Sequence, residues 1–285
     1  MLKKNMFFLV FVVLLSAKVF ALDLTVTGGA GNFSFNTSSS SPLGADNFKG
    51  QFYPMGRITI EDQISDIFGY SATAERDPLY RNVLSCEMTI NADFLKLSIG
   101  PLFSLFNSWD SFIRPGVSAG MGLEFPGFFF IDVKGGATFG SILEHDFTME
   151  TTRIALGVWL PNLLSTLSLT TGKFTENNGI LTQDELLRIS YRSDIHAKNV
   201  PYVFSFEMGY QYLKRSYNNT TEDLIRAVFL GFELDITVRH NLTVIIGAET
   251  PIFVWGKDPL ERARGHWFFK AFTGFVWTID KKPIL

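Results

Sequence analysis

Cysteine is almost missing from this chain. Cys86 is the only one in 285 residues, so no internal disulfide framework can hold the fold. No cysteine follows the N-terminal apolar stretch, which excludes a lipid anchor at that point. Long apolar runs are also scarce. Beyond residue 21, Ser, Thr, Gly or a charge interrupts every apolar segment well short of the roughly 20 residues that a spanning helix needs. Basic charge is in short supply, with 25 Lys and Arg against 28 Asp and Glu, which argues against a nucleic-acid partner. Histidine is limited to His145, His196, His240 and His266, none in a spacing that suggests a metal or a cofactor, so neither is expected.

What is present begins with Lys3 and Lys4, an apolar stretch from Met6 to Leu15, and Val19-Phe20-Ala21, which ends on the small residue a signal peptidase requires. Residues 1–21 are expected to be a signal peptide and residues 22–285 the mature domain. Loss of Lys3, Lys4 and Lys18 would take the formal charge from −3 to −6.

The mature chain has a period of two. From Tyr202 to Tyr212, Tyr202, Phe204, Phe206, Met208, Tyr210 and Tyr212 share one face, and Ser205, Glu207, Gly209 and Gln211 share the other. Val228 to Arg239 repeats the scheme, with Phe232, Leu234 and Ile236 opposite Glu233 and Asp235. At roughly 3.3 Å per residue, an eleven-residue strand tilted by about 40° crosses the apolar band of an outer membrane. Further segments of this kind bring the count to fourteen, with twelve as the alternative because the ninth segment (Leu167, Leu169) is weak and the second and fifth contain proline. Connections alternate between tight turns near Ser65, Asp93, Pro126, Pro161, Asn199 and His240 and longer polar loops near Ser40, Pro78, Trp109, Glu144, Asn178, Asn219 and Arg262. A soluble sandwich has no reason to sort its connections by parity; a closed antiparallel transmembrane β-barrel does.

The last segment resembles the insertion signal of bacterial outer-membrane β-barrels, in which a glycine is followed at three and five positions by large hydrophobic residues; Gly274, Trp277 and Ile279 occupy those places. Phe272 stands where a polar residue is common, and Asp280 to Leu285 extend past the usual aromatic end. In length and strand number the mature chain is similar to the small monomeric porins. That resemblance implies a monomer in the bacterial outer membrane with both termini periplasmic, and as partners outer-membrane lipid, the barrel-assembly machinery and small hydrophilic solutes.

If the apolar faces meet lipid, the other faces line a lumen. The expected pore-lining charges are Glu87, Asp132, Lys134, Arg153, Arg188, Arg192, Glu207, Glu233, Asp235, Glu249 and Lys270. Two arrangements are open: acids on one arc and bases on another, giving a transverse field and a mild cation preference, or pairing of opposite charges across the wall. Phe229, Phe253, Trp255, Phe268, Phe272 and Trp159 fall on the inner face and would narrow the lumen or pack beneath a loop. The leading expectation is a passive channel, not an enzyme. The alternatives are a structural or adhesive barrel and a barrel enzyme acting on lipid; no histidine is followed by a serine at the short spacing of outer-membrane phospholipases, and Glu144, His145 and Asp146 form the one local trio for a protease-like site. The inward charges count against uptake of hydrophobic molecules. Arg262, Arg264 and His266 make a basic loop able to meet an anionic head group.

Overall fold

The protein, seen as a computed structural model, is described over residues 22–32, 53–77, 81–105, 113–139, 146–177, 181–197, 200–218, 220–257 and 269–279. Its strands in chain order are β1 (Leu22–Gly31), β2 (Tyr53–Gln63), β3 (Phe68–Asp77), β4 (Arg81–Ala92), β5 (Leu95–Leu105), β6 (Ile113–Phe125) and β7 (Phe129–Thr138). They continue as β8 (Asp146–Leu160), β9 (Leu163–Asn177), β10 (Leu181–His196), β11 (Tyr202–Tyr217), β12 (Thr220–Arg239), β13 (Leu242–Lys257) and β14 (Lys270–Ile279). Each pairs antiparallel with its neighbours in sequence, and β1 closes on β14 from Leu22↔Ile279 to Gly31↔Lys270. The result is a closed barrel of fourteen strands, and the twelve-strand alternative falls away.

The alternation of side chains determines which face is which. Met88, Ile99, Met121, Leu156, Leu167, Phe232 and Ile246 project outward and are exposed, forming an apolar belt around the barrel. Polar and small residues point in. Leu22 and Ile279 share one rim, and so do the short turns, three of which use a residue with positive φ: Asp93 (49°), Gly127 (78°) and Asn162 (65°). Asn and Asp tolerate this conformation better than other side-chain-bearing residues, and glycine adopts it freely. At this turn end, Phe94, Phe125 and Phe129 stack outside the wall with centroids 5.6 and 4.8 Å apart.

Three expectations change. The weak ninth segment is a strand of fifteen residues, β9, because Thr171, Lys173 and Thr175 continue the ladder although they add nothing to the apolar face. Pairing needs only backbone N–H and C=O groups, so a strand can run on where its side chains turn polar. For the same reason little is left of the polar loop expected near Asn219: β11 runs on to Tyr217 and β12 starts at Thr220, both past the belt. The third change concerns the aromatics. The β12–β13 register passes from Val228↔Phe253 to Phe229↔Pro251, leaving Ile252 as an extra residue in a bulge at Pro251. A one-residue insertion reverses the facing of everything beyond it. Phe253 and Trp255 therefore point outward, 65% and 40% exposed, and Trp255 packs 6.0 Å from the outward Tyr210. Phe268, also expected inside, lies outside the described residues.

Pro101 behaves differently. The β4–β5 ladder is recorded at Ser85↔Leu102 and Met88↔Ile99 but not between them, since proline has no N–H to give. The register on both sides is the same, so the facing of β5 survives the gap.

Candidate functional site

The interior carries the polar chemistry, and its charges are interleaved. Arg188 on β10 reaches over β11 and β12 to Glu249 on β13. Its Nη1 and Nη2 donate to the two carboxylate oxygens at 3.1 and 2.7 Å, and Nη2 also donates to Glu207 Oε1 at 3.0 Å. Lys270 on β14 approaches the same Glu249 at 3.7 Å. The Arg188 guanidinium lies 3.8 Å from the centroid of the Phe229 ring, a cation–π contact that supports the long side chain along its length. Four turn-ward residues along β10, Arg192 donates from Nε to Asp194 at 2.6 Å and from Nη2 to Glu233 at 2.6 Å and Ser205 at 2.9 Å. On the other side of the barrel, Lys134 on β7 spans β6 and β5 to pair with the buried Glu87 on β4 at 2.7 Å.

The carboxylates of Glu207, Glu233 and Glu249 thus do not stand on an arc apart from the bases. Arg188 and Arg192 cross the intervening strands to reach them, and the segregated transverse field gives way to local neutralisation. Asp235 stands one inward position turn-ward of Glu233, while Asp132 and Lys96 flank Gly122 on neighbouring strands. Arg153 is exposed toward the lumen next to Lys134, and no ion pair joins it to another described residue. Spacing alone could not show the Arg188–Glu249, Arg192–Glu233 and Lys134–Glu87 pairs, because the strands joined are two or three apart in the sheet. The signal that could have found them is the barrel register, which brings Arg192 opposite Glu207 and Glu207 opposite Gly231.

Inward aromatics do not jut into the lumen. Phe130, Phe229 and Phe272 each pair directly with a glycine on the adjacent strand, Gly157, Gly209 and Gly247, and each ring lies flat over that glycine. A Cβ at Gly209 would sit 2.6 Å from Phe229 Cζ, and one at Gly247 would sit 2.2 Å from Phe272 Cζ. This is the packing of aromatic rings over strand glycines that stabilises otherwise weak positions. Gly247→Ala, where the nearest atoms all belong to the Phe272 ring, is expected to cost about 1–3 kcal/mol by forcing that ring off the wall. The paired substitution Gly247→Ala/Phe272→Leu should recover part of that loss in urea titrations of the refolded barrel.

In the half of the barrel away from the turns, the loop end, side chains from distant strands meet. Leu102 on β5, Met149 on β8 and Phe174 on β9 form a buried cluster with Val83 on β4 packed against it. It bridges β6 and β7, whose inner faces carry Gly116, Ser118 and Gly136; a Cβ at Gly136 would lie 3.0 Å from Leu102 Cδ2. Beside it, Arg215 on β11 and Asp184 on β10 make a two-pronged ion pair at 2.6 and 2.8 Å, each 1% exposed. Open space remains along the opposite wall. A cavity of ≈ 480 Å³ runs between Thr25, Thr27, Met55, Arg57, Glu61 and Glu75 on β1 to β3 and Arg192, Glu233, Lys270 and Phe272.

Gly274, Trp277 and Ile279 all lie on β14. Gly274 sits at the closure with β1, where a Cβ would come within 2.1 Å of the Val26 carbonyl oxygen, and Trp277 is exposed on the outer belt. Of the histidines, His196 and His240 stand at the turn end. His145 with Glu144, and Arg262, Arg264 and His266, lie outside the described residues, while Asp146 opens β8. Among the described residues, no three His, Cys, Asp or Glu side chains converge to hold a metal ion.

No family model matches the chain, and no curated protein resembles it in sequence. Solved structures do share its fold. A bacterial polysaccharide outer-membrane secretin superposes with a TM-score of 0.51 at 10% identity, over 92% of this chain and 98% of that one. The COG4313 outer-membrane channel from Pseudomonas putida F1 gives 0.51 at 8% identity, over 93% and 97%. A FadL homologue from Pseudomonas aeruginosa gives 0.50 at 10% identity, over 90% and 88%. The chain therefore shares the closed β-barrel fold of these outer-membrane proteins.

Proposed function

We propose that this protein is an outer-membrane channel for passive diffusion of small hydrophilic solutes or ions, with a mild preference for cations. The observation that carries the reading is the contrast between the two faces of one closed sheet: an unbroken apolar belt outside, a charged and partly open interior within. Aromatic residues at both edges of the belt, Phe94, Phe125 and Phe129 at one and Tyr210 and Trp255 at the other, match the girdles that sit at membrane interfaces. With residues 1–21 removed on export, the rim that holds Leu22 and Ile279 faces the periplasm, and the opposite rim, where β1 ends at Gly31 and β2 begins at Tyr53, faces the exterior. Gly274, Trp277 and Ile279 serve as the strand read by the barrel-assembly machinery, and the barrel works as a monomer in outer-membrane lipid.

The selectivity belongs to the turn-end mouth. There Glu61, Glu124, Asp132, Asp194, Glu233 and Asp235 outnumber Lys96 and Arg192 on the inner face, whereas Glu207 and Glu249 at mid-depth are neutralised by Arg188 together with Lys270. A net excess of carboxylates at a mouth favours cations and is screened over about 8 Å at physiological salt. Planar-bilayer recordings of the refolded mature protein under a salt gradient should give a reversal potential on the cation side that fades as salt rises. Glu61→Gln/Asp132→Asn/Asp235→Asn should shift it toward anions, and Glu207→Gln should shift it less. Absence of conductance, or an unmoved reversal potential in the triple variant, would overturn the reading.

A further inference from the structure

The interior is unevenly filled, and the filling follows the strands. At the loop end, the inner face is closed from β4 to β12. Ser104 on β5 is 0% exposed, and the Leu102, Met149 and Phe174 cluster bridges β5 to β9. The Arg215–Asp184 pair, Leu186, Leu213 and Ala227 continue the buried surface through β10, β11 and β12. Small inner residues on β6 and β7 let this happen, because side chains from β5 and β8 can lie across them. The inner faces of β1 and β2 are different: Thr25, Thr27, Met55 and Arg57 remain open and line the ≈ 480 Å³ cavity, with Lys270 and Phe272 of β14 closing its far side.

We infer that the water-filled route through this barrel is eccentric, running along the inner faces of β1 to β3 and β14, while β4 to β12 are sealed at the loop end by their own side chains. The inference rests on the channel reading for its meaning but not for its test. A solute following the route passes between walls of mixed sign. Arg57, Glu61 and Glu75 stand on one side, with Arg192, Glu233 and Lys270 on the other. A cavity of this volume falls within the roughly 300–1,000 Å³ range of small-molecule sites. Groups of both signs on facing walls suit small polar or zwitterionic solutes, and they disfavour an apolar one, which would strip water from these charges and return no hydrogen bonds.

Single cysteines placed in a Cys86→Ser background test the route by their reaction with a small water-soluble maleimide in the folded, micelle-bound protein. Thr27→Cys and Met55→Cys should be labelled more than about tenfold faster than Ser104→Cys and Ala227→Cys, which need local opening to react. If Ala227→Cys does not fold, Ser118→Cys on β6 takes its place. Equal rates in the two sets would overturn the route. Conductance separates this from the channel reading. Labelling at Thr27→Cys should lower the current. A current that persists unchanged after complete labelling there and at Met55→Cys would also overturn the route. A barrel that shows the labelling contrast but never conducts would overturn the channel reading and leave the route in place.

Discussion

Asp184→Ala should cost about 3–5 kcal/mol of folding free energy, while Asp184→Leu/Arg215→Leu should cost less than either single substitution. The two residues are directly opposed in the β10–β11 register, both 1% exposed, and joined by two charge-assisted hydrogen bonds. Removing the carboxylate takes both of those bonds from a guanidinium that is itself 1% exposed, and breaking a buried ion pair from one side is far costlier than losing a surface pair. Removing both ends takes away that penalty, and leucine of similar bulk adds apolar contact in a neighbourhood that is already apolar. Urea unfolding of the refolded barrel in lipid vesicles would read the four states of the cycle. A double variant as damaged as the sum of the singles would mean that the pair is not energetically coupled and that each residue is held by other neighbours.

The period-two pattern made the strands legible because one face of each strand meets the outside of the barrel and the other does not, so burial imprints the alternation directly on the sequence. It failed where burial stops governing composition. Thr171 to Asn177 on β9 and Leu213 to Tyr217 on β11 keep their hydrogen-bonded ladders beyond the apolar belt, and nothing in their side chains announces it. The bulge at Pro251 was legible in principle, since a proline inside a strand marks a place where the ladder must break. Its consequence was not, because the facing of Phe253 and Trp255 depends on whether one residue is added or the ladder merely skips, as it does at Pro101. The interior charges show the same limit. Their inward facing follows from alternation, but the reach of Arg188 to Glu249 and of Lys134 to Glu87 depends on register across several strands and on the glycines that let long side chains lie along the wall.

Phe232→Arg should destabilise the barrel by about 2–4 kcal/mol in lipid, the cost of a cation at mid-depth on the lipid face, while Thr25→Arg should cost much less. Phe232 points outward near the middle of β12, 46% exposed, with the Phe206 and Phe204 rings 5.4 and 6.3 Å away. Arginine there loses that aromatic packing and is too deep for its head group to reach either interface without cost. Thr25 faces the open cavity, where a guanidinium keeps its water and has Glu61 on the adjoining strand among the cavity-lining acids. Not every inward position is a fair control. Ser205 is buried and accepts a hydrogen bond from Arg192 at 2.9 Å, so arginine at that site would break a network instead of entering solvent. Folding titrations of the two variants into vesicles decide the matter, with a detergent series alongside in which the lipid-specific share of the Phe232→Arg cost should shrink. Equal losses at Phe232 and Thr25 would mean that the apolar belt does not meet hydrocarbon, and the membrane-spanning reading would fall with it.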